Sequence, residues 1–124
     1  MQDHEVFAAI GEDGFTRLIR AFYAQVPDDE VLGPIYPKHD LAGAEKRLRD
    51  FLIYRFGGPP VYIEERGHPR LRMRHAPFPV DARARDHWLA LMRKALDGSS
   101  FPEEVRSLLW SYFESTAEAM MNRV

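Results

Sequence analysis

Apolar side chains recur along this chain with a helical period. Phe15, Leu18, Ile19, Phe22, Tyr23 and Val26 fall at i, i+3, i+4, i+7, i+8 and i+11, the spacing of one buried helix face. Before them, residues 4–10 read as a short lead-in helix that Gly11 and Gly14 break with a tight turn. Pro27 stops the first long helix. Asp28-Asp29-Glu30-Val31-Leu32 then offers a capped single turn, and Gly33-Pro34-Ile35-Tyr36-Pro37 forces an irregular crossing that holds Tyr36 between prolines. Asp40 is placed to cap a second helix, in which Leu41, Ala44, Leu48, Phe51, Leu52 and Phe56 keep the period while Glu45, Lys46, Arg49 and Asp50 point mostly outward. Gly57-Gly58-Pro59-Pro60 ends it.

Further along, Asp81 caps a helix with Ala84, Trp88, Leu91, Met92, Ala95 and Leu96 on one face, closed by Gly98. Ser100-Phe101-Pro102-Glu103 reads as a capping box for the last helix, whose buried face is Val105, Leu108, Leu109, Tyr112, Phe113, Thr116, Ala117 and Met120. The expected fold is all-α, with four long amphipathic helices plus short pieces. Val61-Tyr62-Ile63 is the one extended candidate, and three residues beside Pro60 are too few to build a sheet. The connection over residues 57–68 is longer than compact bundles need, which marks it for function.

Composition narrows the classes. A chain of 124 residues, 45% of them hydrophobic, fits one domain with its own core. The net charge of −2 spreads no basic field that would attract nucleic acid or a membrane surface. No apolar run is long enough to cross a bilayer and no basic leader precedes one, so the expected location is cytoplasmic. Without cysteine there are no disulfides, thiolate nucleophiles, iron–sulfur clusters or Cys-type zinc sites. Phosphate-loop, Gly-x-Ser-x-Gly and His-Glu-x-x-His signatures are missing.

The chemistry concentrates in residues 66–78. Pro69 favours a first helical turn, Pro77 closes the segment, and His75 stands between them on a short, fixed helical turn. Arg66, Arg70, Arg72 and Arg74 alternate with Leu71, Met73 and Phe78, a mixture that suits a flat apolar ligand with carboxylates at its edge. Haem answers that description, and imidazole is a common haem ligand. Tyr23, Tyr36 and Trp88 lie on three elements at the borders of apolar faces, each with a polar tip that needs a partner when buried. For any one of them taken singly, ordinary core packing is the preferred reading. Two other readings stay open: a non-haem metal site using His68 and His75, and DNA binding through the helix that carries Arg83, Arg85, Arg93 and Lys94.

The runs Phe22-Tyr23-Ala24-Gln25-Val26, Ile35-Tyr36-Pro37, residues 40–45, Gly57-Gly58-Pro59 and residues 67–78 together resemble group II truncated haemoglobins from about residue 7 to 122. The resemblance implies a shortened globin, two helices packed over two around haem b (iron protoporphyrin IX), with His75 as the proximal iron ligand. It implies distal-pocket roles for Tyr23, Tyr36 and Trp88, and a small residue, Ala44, where larger globins carry a distal histidine. Leu48 and Phe51 match apolar wall positions, and Met73 and Phe78 are expected to line the same pocket. Arg47 and Arg74, with Tyr62 less directly, match positions that meet the haem propionates. Tyr54-Arg55-Phe56 departs from the family pattern and puts the contacts at that helix end in doubt.

The implied activity is binding of O₂ and other diatomic gases, with slow O₂ release because several donors face a ligand that gathers negative charge. A haem redox enzyme, removing nitric oxide or acting as a peroxidase with an electron-donating reductase, is the alternative. The implied protein is a monomer or a homodimer that engages neither nucleic acid nor a membrane.

Overall fold

The computed structural model describes residues 1–123, and all regular structure among them is helical. Helix α1 (Val6–Gln25) carries the predicted stripe, and Phe15, Leu18, Ile19, Phe22, Tyr23 and Val26 are all buried. Gly11 interrupts it at φ 68°, ψ 179°, so the chain breaks there as expected and turns helical again at once. Gly14 does not share that turn. It sits within the resumed helix, where a Cβ would come within 2.7 Å of the Ile10 Cβ, so its role is close packing across the break.

Helix α2 (Leu41–Arg55) follows the irregular crossing, and α3 (Val61–Arg66) and α4 (Leu71–His75) are short. Helices α5 (Ala82–Asp97) and α6 (Glu103–Met120) complete the chain. Packing of α1 against α2 and α5, and of α5 against α6, gives two helices over two. Their shared core is built from Phe15, Phe22, Phe51, Leu52, Phe56, Met92, Leu96, Leu109 and Phe113.

Val61-Tyr62-Ile63, judged too short for a sheet, form no strand and instead open α3. A lone three-residue strand leaves its amides unpaired, whereas a helical turn satisfies its own, beginning with the Glu64 N–H donating to the Pro60 carbonyl at 3.1 Å. Tyr62, 4% exposed, then packs edge-on against Phe51 with ring centroids 5.4 Å apart. The capping expectations divide. Asp81 accepts from the Ala84 N–H at 2.8 Å as read from sequence. Asp40 stands at the N-terminus of α2 but its carboxylate pairs with Arg47 at 3.2 Å instead of capping the first turn. Helix α6 starts after Pro102 without a side-chain cap, so the capping box at Ser100 is not formed. Asp50, expected outward, is buried, held by Lys46 at 2.7 Å and Arg49 at 3.3 Å; Lys46 also reaches Glu65 at 2.8 Å and so ties α2 to α3.

The glycine pair after α2 does more than end a helix. Gly57 has φ 98°, and a Cβ there would lie 1.8 Å from the His4 carbonyl oxygen; one residue later, a Cβ on Gly58 would meet Ile53 and Phe7. The lead-in segment therefore crosses directly over these glycines, pinned by the Phe7 N–H donating to the Phe56 carbonyl at 3.0 Å. Arg55, the odd residue of the sequence, is absorbed at this crossing. Its guanidinium pairs with Asp3 at 3.1 Å and lies 4.8 Å from the Tyr112 ring centroid and 5.1 Å from that of Phe56, while Tyr54 stays partly exposed. Replacing Gly57 with alanine combines backbone strain with a main-chain clash and is expected to cost roughly 3 kcal/mol. Denaturant titration of the variant beside the parent checks this through the shift in midpoint at constant slope.

Candidate functional site

The two helical layers do not close on each other everywhere. Between α2, α4, α5 and α6 they leave a cavity of about 500 Å³, in the size range of cofactor pockets. This explains why several residues on the predicted apolar faces are only half-buried: Leu41, Ala44 and Leu48 on α2, Trp88 on α5, and Tyr112, Thr116, Ala117 and Met120 on α6. All but Leu41 line the cavity.

His75 lines it from α4. Its Nδ1 lies 2.7 Å from the Leu71 carbonyl oxygen, which can only accept, so Nδ1 carries the proton and Nε2 keeps its lone pair. That is the tautomer a metal ligand requires, with the second nitrogen orienting the first. The five-residue helix is set from both sides. On its entry side Arg70 takes a left-handed conformation (φ 42°), and its N–H donates to His68 Nδ1 at 3.1 Å. On its exit side Asn122 Nδ2 donates to the carbonyls of His75 (3.2 Å) and Phe78 (3.0 Å), while its Oδ1 accepts from the Val80 N–H at 2.9 Å.

Helical geometry sorts the rest of this segment. Leu71, Arg74, His75 and Phe78 follow i, i+3, i+4, i+7 and line the cavity together. Met73 falls on the opposite side, 60% exposed and outside the cavity, so the expectation that it lines the pocket is corrected. Arg74 donates through Nε to the Pro69 carbonyl at 2.7 Å and through a terminal nitrogen to that of Arg66 at 2.9 Å. Arg47, Leu48, Phe51 and Tyr62 reach the same cavity from α2 and α3.

Tyr23, Tyr36 and Trp88 converge on it. The Tyr23 and Tyr36 rings meet edge to face at 5.6 Å, and Trp88 is wedged between Phe22 (5.2 Å) and Phe113 (5.6 Å). The Trp88 indole N–H and the Tyr23 hydroxyl face the Tyr36 hydroxyl from the donor side. Burial pushes the Tyr36 phenol up to about 12, and these two donors moderate the rise. Burial also raises Tyr23, reinforced by the neighbouring Tyr36 and opposed by Arg47.

The competing readings lose support here. His68 is exposed and serves the backbone at Arg70, and among the described residues no three His, Cys, Asp or Glu side chains gather to hold a bare ion. On α5, Arg83 pairs with Glu30 at 3.0 Å, Arg85 with Glu118, and Arg93 with Asp97 at 3.4 Å, so three of the four basic side chains read as a DNA-binding face are engaged within the chain. A metal already held in the plane of a macrocycle needs only one axial imidazole. The apolar walls, the single oriented histidine and the arginines around the cavity fit haem.

Residues 5–122 match the family model described as bacterial-like globin. The chain belongs to the bacterial-like globins. Within them it is a group II truncated haemoglobin: it is 40% identical to the group 2 truncated hemoglobin of Bacillus subtilis (strain 168), over 94% of this chain and 88% of that one. Among solved structures, it superposes with TM-score 0.91 and 50% identity on the thermostable hemoglobin of the actinobacterium Thermobifida fusca, covering 94% of this chain and 96% of that one. The truncated oxygen-avid haemoglobin of Bacillus subtilis gives a TM-score of 0.89 at 40% identity, over 94% and 98% of the two chains. The two-over-two fold, a haem cofactor and haem-based binding of diatomic gases go with membership of this family. No helix among the described residues is long and apolar enough to cross a membrane.

Sequence reasoning missed parts of this globin pocket. Val80 carries no distinctive chemistry, and the α6 wall read simply as core because its periodicity is the same either way. Asn122, 47 residues from His75, gave no local signal at all.

The raised phenols make a pH prediction. In the unfolded chain tyrosine ionises near 10, whereas Tyr36 in the folded globin stays neutral to about 12. Its stabilising contribution is complete below pH 10 and is lost as pH rises toward 12, because the unfolded state alone releases the proton. Tyr36→Phe is expected to flatten the alkaline fall in stability over that window, measured by denaturant unfolding at a series of pH values.

Proposed function

We propose that the chain, as one globin domain, holds haem b through His75 Nε2 and binds O₂ with slow release. The observation that carries this reading is the oriented histidine: the Nδ1–H to Leu71 bond at 2.7 Å leaves a fixed lone pair in an apolar cavity. Haem b, when bound, would supply the iron that takes up a diatomic gas. Everything else is done by this chain. Leu48, Phe51 and Phe78 exclude water from the faces of the macrocycle, and Ala44 leaves a small side chain on the distal side. Arg47 and Arg74, with Tyr62 beside them, meet the carboxylates; each guanidinium has five N–H donors and spends at most a few on Asp40 or on backbone carbonyls.

Slow release follows from the donors. Trp88 can only donate, and the N–H it turns toward Tyr36 is available to a negatively charged acceptor in the cavity. The oxygen-avid haemoglobin of Bacillus subtilis, similar over nearly its whole length, supports the same expectation.

Two substitutions test this. His75→Ala is expected to abolish haem retention or leave the haem readily extracted, seen as loss of the visible haem spectrum on gel filtration; an unchanged spectrum would sink the assignment. Trp88→Phe keeps an aromatic body and removes one charge-assisted donor, so O₂ release is expected to accelerate about 10- to 100-fold. Stopped-flow dissociation from the ferrous form decides it, and a rate within about twofold of the parent reduces Trp88 to a wall of the pocket.

A further inference from the structure

Trp88 and Tyr36 sit on different elements, α5 and the crossing after α1, and their contact is only as exact as the distance between those elements. That distance is set beside them. Asp29 begins the crossing, with its side chain 11% exposed, and His87 precedes Trp88 on α5. The His87 Nδ1 lies 3.1 Å from each carboxylate oxygen of Asp29. The same carboxylate accepts from the backbone N–H groups of Val31 (3.0 Å) and Leu32 (2.8 Å). The Leu32 carbonyl in turn accepts the Tyr36 N–H at 3.1 Å, and Tyr36 shares the cavity with Trp88, whose indole N–H faces its hydroxyl.

Hydrogen bonds thus run from His87 through Asp29 and Leu32 to Tyr36, and the circuit returns to His87 across the cavity through its chain neighbour Trp88. We propose that Asp29 and His87 are positioning residues for the distal donors, holding the Tyr36 crossing against α5 so that the Trp88 N–H keeps its aim into the cavity. The inference rests on the distal-donor role given to Trp88 above. Burial pushes the Asp29 carboxyl up, but the Leu32 N–H, His87 and the Val31 N–H outweigh it and keep the group below its usual range, so it is an anion whenever the protein is folded at neutral pH. One helical turn earlier, Arg83 pairs with Glu30 at 3.0 Å across the same two elements, but its side chains are 66% and 74% exposed. An exposed pair of that kind holds little and serves as the control.

The test uses the haem-loaded protein and reads the infrared C–O stretch of its ferrous carbon monoxide form, which reports donors near the ligand independently of any turnover, together with the O₂ release rate. His87→Leu and Asp29→Asn are expected to raise and broaden the stretch and to speed O₂ release about 3- to 10-fold, less than losing the donor itself. His87→Gln, which restores an N–H donor, is expected to return both towards the parent, and Arg83→Gln to leave both unchanged. In a Trp88→Phe background, His87→Leu is expected to add less than it does alone, because both act through one donor. If Trp88→Phe shifts the stretch and His87→Leu and Asp29→Asn do not, positioning by the pair is overturned while the donor role stands. A stretch unmoved by Trp88→Phe overturns both. Equal shifts from Arg83→Gln and His87→Leu also overturn the proposal, by reducing the effect to general loosening.

Discussion

A cavity of about 500 Å³ in a chain of 124 residues constrains everything around it. Protein interiors are otherwise close-packed, and side chains lining a void lose partners on one side. The walls must therefore be held from behind. Here the aromatic residues do this: Phe22, Phe56 and Phe113 are buried to within about 1% of their surface and back the cavity-facing Trp88 and Tyr112 through edge and tilted contacts near 5–6 Å, and Phe15 stacks behind Phe56. A rigid rear layer lets the front layer stay open for a large planar group.

How much of this was legible in the sequence depended on the range of the signal. The α1 stripe, the break at Gly11 and the Asp81 cap were local patterns, and they formed as read. Where local pattern competed with tertiary contact, tertiary contact won. Asp40 and Asp50 were drawn into ion pairs with Arg47 and with Lys46 and Arg49, and Val61-Tyr62-Ile63 became helical once Tyr62 found Phe51. In the candidate site, the His75 segment was visible because arginines and prolines crowd it. Met73 was misplaced because alternation with arginines was read without asking which side of a short helix each residue would take.

The distal side shows how a polar cluster survives in an apolar setting. Tyr23, Tyr36 and Trp88 carry two hydroxyls and an indole, and each unpaired group would be costly to bury. Grouping them turns two donors toward the Tyr36 oxygen, and burial keeps the phenols uncharged far into alkaline solution although those donors oppose it at Tyr36. The proximal side works by another route, with a carbonyl one turn back choosing the imidazole tautomer.

Asn122 ties the proximal side to a distant part of the chain. Its bonds to His75 and Phe78 join positions 47 and 44 residues apart. Contacts of such long sequence separation carry a loop-closure cost that local contacts do not. The short helix bearing the histidine is thus held from the far end of the polypeptide, and a change after α6 reaches the cavity through the two hydrogen bonds of one side chain.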